Sequence, residues 1–158
     1  MSIALGLGIV IVTFITMEGV TWCTHKFVMH GLMWYFHEDH HNPHGSFFEK
    51  NDAFFLIFAI PSWLLIMFGA IAGGDFRLYV GFGILMYGAA YFLIHDVLIH
   101  QRFDWLKNTD NIYFRGIRKA HKIHHKHLGK AEGECFGMLL VPRKYFIEAR
   151  NYKQNKKG

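Results

Sequence analysis

The chain has 158 residues, enough for one domain. It is 52% hydrophobic and 17% aromatic but only 18% charged, and the apolar residues gather in three long runs, which argues against a soluble domain. Beside such runs, a net charge of +5 points to anionic lipid headgroups, and no nucleic-acid partner is expected. Cys23 and Cys135 form neither a CxxC nor a zinc-finger spacing, so no disulfide framework is implied and both are expected to be buried thiols.

The first run, residues 2–22, lacks the charged start and cleavage site of a secretory signal and is read as retained. As a helix it spans about 31 Å, the thickness of a hydrocarbon core. Glu18 interrupts it near the end that leads to His25. There it either orients a metal-bound imidazole through its second nitrogen or meets interfacial water. Residues 23–52 are polar and carry His25, His30, His37, His40 and His41, with Pro43 and Gly45 ending the helix that bears the last three. Asn51 or Asp52 is expected to cap a second span over residues 53–73, and Pro61 to kink it.

Gly73, Gly74 and Asp75 make a turn. The third span, residues 78–99, carries Gly81, Gly83, Gly88, Ala89 and Ala90 for close helix packing, and leads into His95 and His100. Asp110 or Asn111 is expected to cap a helix over residues 112–127 that bears His121, His124 and His125 and stops at Gly129. Residues 136–141 are apolar but too short to cross a bilayer, leaving a buried loop, a short strand or an interfacial segment. The basic tail, residues 143–158, lies on the membrane surface or frays.

Ten of the 12 histidines fall in a doubled block, HxxxxH followed by HxxHH. A purification tag is contiguous and terminal, and this pattern is neither. On an α-helix, positions i, i+3 and i+4 share a face, so each HxxHH is predicted to aim three imidazoles at one point. The i, i+5 pairs would diverge by about 140° and about 7.5 Å of rise, reaching two neighbouring metals better than one. Ten imidazoles therefore predict two metal ions, and the donor type suits iron, zinc, copper or nickel. His44 and His127 lie outside the blocks and are expected to be surface residues.

Three spans put both blocks on one side of the membrane. Of the 17 lysines and arginines, only Arg77 lies in the loop on the other side, so the histidine side is expected to be cytoplasmic. The predicted fold is all-α: residues 1–158 form one integral membrane domain of about three transmembrane helices with a cytoplasmic histidine-rich helical cap.

The residues resemble a known family. The stretches 25–31, 37–41, 48–52 (FExND), 95–102 (HDxxxHQR) and 120–125, with Gly129-Lys130, Glu132-Gly133 and Phe136-Gly137, are similar to the bacterial β-carotene hydroxylases of the fatty acid hydroxylase and sterol desaturase superfamily. The histidine blocks carry the superfamily, and HDxxxHQR and FExND narrow it to carotenoid hydroxylases. His44 stands where relatives often carry arginine.

The resemblance implies a membrane monooxygenase of the bacterial inner membrane. It implies two irons on His25, His30, His37, His40, His41, His95, His100, His121, His124 and His125, with O2 as co-substrate and electrons from reduced ferredoxin. The carotenoid substrate would be hydroxylated at C3 and C3′ of its β-ionone rings, taking β-carotene to zeaxanthin through β-cryptoxanthin. Asp96, the candidate catalytic carboxylate, is read as an acceptor beside a ligand, against the alternatives of a ligand or a plain interfacial charge. Arg102, Lys107, Arg115, Arg118, Lys119 and Lys122 would steer an acidic ferredoxin or bind headgroups.

A carotene ketolase, fatty acid hydroxylase or desaturase would share the metal site and differ in the pocket. A metal carrier or sensor would place polar ligands within the spans, whereas these histidines cluster beyond the span ends. A membrane-surface adaptor would leave the ordered histidine repeat unexplained.

Overall fold

Ser2 caps the first helix, its hydroxyl accepting from the Leu5 N–H at 3.4 Å, and α1 (Ile3–Cys23) then runs without a break through the first apolar stretch. In this computed structural model, which describes residues 1–42, 45–131 and 133–155, α1 continues into a π-helical segment, Thr24–Leu32. Its helical geometry is broken at Gly31, whose φ of −111° and ψ of −108° are not helical. Helix α2 (Trp34–His41) follows, ending at Asn42. Pro43, His44 and Glu132, singled out in the sequence, lie outside the described residues.

A 3-10 turn, Lys50–Ala53, leads into α3 (Phe54–Ile71), with Pro61 inside the helix. Neither Asn51 nor Asp52 caps α3. Glu49 caps the turn instead, in a reciprocal capping box with Asp52, and this frees Asn51 for another task. Gly73 and Gly74 take φ of 79° and 90°, the left-handed conformations that reverse the chain, and Asp75 caps α4 (Phe76–Phe92). Helix α4 also runs on as a π-helical segment, Leu93–Ile99, which ends before Gln101 at a φ of 55°.

Helix α4 lies between α1 and α3. Gly81 meets Ile66 and Ser62 of α3, and Gly83 meets Thr13 and Val10 of α1. A Cβ at Gly83 would stand 2.5 Å from the Thr13 side chain, so only glycine allows this approach. Three stretches are long and apolar enough to cross a membrane, Ile3–Leu32, Lys50–Ile71 and Phe76–Ile99. Their outer faces expose Ile11, Ile15, Ile60, Ile71, Phe76 and Met86, a surface suited to lipid.

Beyond the bundle, Asn111 caps α5 (Ile112–His124) by accepting from Tyr113 and Phe114 N–H groups. Helix α6 (Arg143–Asn155), in the expected tail, packs on α5. Ile117 and Met138 join Ile94, Leu98 and Ile99 of the π-segment in a small core that fixes the cap to the bundle. The stretch 136–141 is irregular, neither helix nor strand, and there are no strands among the described residues. Cys135 is half-buried, but Cys23, the last residue of α1, is exposed rather than buried as expected.

Candidate metal centre

The ten block histidines meet at one end of the bundle, but not in the grouping their spacing predicts. The ligand nitrogens of His25, His30, His37, His41 and His124 all lie within 4.8 Å of one another, and so do those of His40, His95, His100 and His121. His125 adjoins the second group, its Nε2 2.9 Å from that of His121, and its ring stacks on His41 at 4.5 Å.

Two expectations are corrected here. The HxxxxH pairs do not diverge, because they do not sit on α-helix. His95 accepts the N–H of His100 at 2.9 Å, an i→i+5 bond that places residue i+5 one turn above residue i, and Val28 accepts from Met33 in the same way. Both pairs therefore converge, each within one cluster. Nor does each HxxHH motif aim three imidazoles at one point. The outer histidines of each motif stay with their own block, while the middle one crosses: His40 joins His95, His100 and His121, and His124 joins His25, His30, His37 and His41. The two blocks are thus interlocked with the same exchange on both sides.

The second ring nitrogens fix the imidazoles. His25, His30, His41 and His124 direct Nδ1 at the main-chain oxygens of Phe136 (3.0 Å), Lys130 (3.3 Å), His127 (3.0 Å) and Glu134 (2.9 Å). His37 reaches Asn51 Oδ1 at 2.7 Å, and His40 reaches Glu49 Oε2 at 2.7 Å. A carbonyl oxygen only accepts, so each Nδ1 facing one carries the proton and each Nε2 is a bare lone pair. Yet Nε2 of His25 faces that of His37 at 3.2 Å, and His30 faces His124 at 3.2 Å. Lone pairs held this close, with Nε2 of His41 lacking any partner, call for a cation among them. The spacing fits one: with imidazole–metal bonds of about 2.1 Å, neighbouring ligands at right angles stand about 3.0 Å apart.

Electrostatics agrees. Burial, the largest cause in each case, depresses His41 to about 4, His124 to about 3, and His37 and His125 to about 2, and neighbouring imidazoles lower them further. His40, His100 and His121 are pushed well down for the same reasons. Neutral imidazoles are the form that binds metal.

Acidic groups back the four-histidine cluster. Glu49 carries the His40 bond, and burial raises its pKa against the pull of Arg102. Asp96, the candidate catalytic carboxylate, stands outside both clusters, Oδ2 3.6 Å from His95 Nδ1 and Oδ1 3.2 Å from Arg102. Glu18, expected to orient an imidazole or meet water, does neither: its oxygens are taken by Tyr87 and by the main chain of residues 138–140. Sequence reasoning missed the tasks of Glu49 and Asn51, whose signal was a polar pair before an apolar run that reads equally as a cap.

The basic residues around the second block are mostly neutralised. Arg102 lies among Glu49, Asp52 and Asp96, and Lys107 pairs with Asp104, Arg115 with Asp110 and Lys119 with Glu148. Arg118 donates to the carbonyls of Leu98, Leu106 and Lys107, which leaves Lys122 exposed on α5.

A cavity of about 510 Å³ lies in the wedge between α1 and α3, floored by α4. Met17, Phe58, Trp63, Ile84 and Phe92 make its walls apolar, and it reaches His25 of one cluster and His95 of the other.

The chain is similar to a β-carotene hydroxylase of Pseudescherichia vulneris, 38% identical over 143 residues that cover 89% of this chain and 80% of that protein. A β-carotene hydroxylase of Pantoea ananas is 38% identical over 134 residues, 85% of this chain and 76% of the relative. A chloroplastic β-carotene 3-hydroxylase of Gentiana lutea is 36% identical over 122 residues, 75% of this chain and 38% of the plant protein. No solved structure matches the chain. The fatty acid hydroxylase family model matches residues 10–142, a span that takes in every histidine of both clusters, and the chain accordingly belongs to the fatty acid hydroxylase family.

Proposed function

We propose that the chain is a carotenoid 3-hydroxylase that converts β-carotene to zeaxanthin through β-cryptoxanthin, with two iron ions as its metal centre. His25, His30, His37, His41 and His124 would hold one iron, and His40, His95, His100 and His121, with His125 beside them, the other. Iron bound there would supply the activation of O2 that puts one oxygen atom into a ring C–H bond, with two electrons and two protons taking the second oxygen to water.

The chain's own residues do the rest. The observation that carries this reading is the cavity between α1 and α3, whose apolar walls continue the lipid-facing surface and whose inner end touches both clusters through His25 and His95. A ring drawn from the bilayer can enter sideways without crossing water. Phe58, Trp63 and Phe92 enclose it, exclude solvent and set how far it advances. Asp96 lines the same inner end, and in this reading it steadies His95 without touching the ring. The names of the relatives, bacterial and plant, support the carotenoid as substrate.

The histidine side would face the cytoplasm of a bacterial inner membrane, as the charge distribution supports. Reduced ferredoxin would deliver electrons at the exposed basic face of α5 that bears Lys122. Pigment analysis of a β-carotene-producing host expressing the chain tests the reading. Zeaxanthin is expected, and a ketocarotenoid or unchanged β-carotene overturns it.

A further inference from the structure

Glu18 is the one acidic residue in an apolar stretch of thirty residues, where a carboxylate is costly unless its oxygens are satisfied. They are. Oε1 accepts three successive main-chain N–H groups, from Met138 at 3.0 Å, Leu139 at 2.9 Å and Leu140 at 2.9 Å. Oε2 accepts from the Tyr87 hydroxyl at 2.6 Å, which in turn lies 2.7 Å from Thr21 Oγ1. The carboxylate therefore ties α1, α4 and the turn at 138–140 together. Gly137 makes the turn possible: a Cβ there would stand 2.5 Å from the Leu140 oxygen and 3.3 Å from Glu18 Oε1.

The loop leading to that turn supplies the main-chain oxygens of His127, Lys130, Glu134 and Phe136, which orient four of the five imidazoles in the larger cluster. It starts where α5 ends and is pinned at its far end by Glu18. In the smaller cluster His40 is held by Glu49, which is not part of this loop.

We propose that Glu18 is a positioning residue for the five-histidine cluster alone, acting through the turn at 138–140 and the main-chain oxygens of His127, Lys130, Glu134 and Phe136, and touching no imidazole itself. The inference rests on the reading of two metal sites. Without the carboxylate, the turn loses its anchor, the four carbonyls lose their register, and the cluster loses its hold on metal while its partner keeps its own.

The test is metal content by native mass spectrometry of detergent-purified, iron-loaded protein, with circular dichroism to confirm helicity. Wild type should carry two ions, Glu18→Ala one, and Glu18→Gln, which keeps an oxygen for the three N–H groups, close to two. Two ions in Glu18→Ala overturn the proposal. Loss of both ions also overturns it, since the carboxylate would then serve the whole fold. A single ion in wild type sinks the two-metal reading instead. If Glu18→Ala yields no helical protein, Gly137→Ala decides by the same count, because it lifts the turn from the carboxylate and leaves α1 intact: one ion supports the proposal and two overturn it.

Discussion

Asn51→Ala offers a direct measure of how the imidazoles are held. Asn51 Oδ1 accepts from His37 Nδ1 at 2.7 Å, and the two residues are 8% and 1% exposed. Alanine leaves a buried N–H without an acceptor, which costs about 1–3 kcal/mol. At 1.4 kcal/mol per decade this is a loss of about fivefold to 150-fold in affinity, overlapping the 10- to 100-fold typical when a partner of a metal-bound imidazole is removed. The expected result is metal binding weakened about tenfold to a hundredfold at the five-histidine cluster only. Asn51→Asp keeps an acceptor and should bind at least as tightly as wild type. Titration of the metal-loaded protein with a competing chelator, counting ions released in each step, reads this directly. An Asn51→Ala protein that releases both ions at wild-type chelator concentration, or loses both together, would refute the assignment.

Because the middle histidines cross, His40→Ala should deplete the site made with His95, and His124→Ala the site made with His25, each leaving one ion by metal analysis; the reverse pattern contradicts the exchange. Reporter fusions after Gly74 should report the outer side of the membrane, and fusions after Asn42 or Asn155 the inner, while opposite sides for those two would break the single-ended centre. Metal-free protein should lose stability in acid. The folded values of His37, His41, His124 and His125 lie at or below about 4, under the unfolded value near 6.5. Stability is then full above pH 6.5 and falls as the pH drops toward 4, because the unfolded chain binds protons that the buried imidazoles do not. A melting temperature flat from pH 6.5 to 4.5 would disprove neutral burial. Lys122→Glu with Lys126→Glu, both exposed, should slow ferredoxin-driven turnover at low salt without changing metal content, and an unchanged rate assigns that face to headgroups.

The spans and the histidine blocks were legible because each is a local pattern, apolar length in one case and side-chain spacing in the other. The convergence of His25 with His30 was not. Spacing translates into angle only once the helix type is known, and nothing in the composition of Thr24–Leu32 marks the wider turn that brings residue i+5 over residue i. The crossing of His40 and His124 was hidden for a different reason, since it depends on how two distant helices face each other. Glu18 looked like a neighbour of His25 because the N–H groups it serves lie 120 to 122 residues away. Asn51 looked like a cap because a short polar side chain before an apolar run is the usual cap signal, and its actual partner is on another helix.

The exchange of middle histidines also bears on how the molecule is made. A metal bound by His30 and His124 staples positions 94 residues apart, and one bound by His40 and His95 closes a loop of 55. Each acts as a cross-link between the first half of the chain and the second, comparable to a disulfide, whose closure of a loop near 100 residues is worth about 4.7 kcal/mol. Neither staple can be set early. While the chain is being synthesised, the first block emerges with four donors that belong together and one that belongs elsewhere, and both sites stay incomplete until α4 is inserted and α5 has left the ribosome. Metal would therefore be the last component to arrive, fastening two halves that the membrane has already brought side by side.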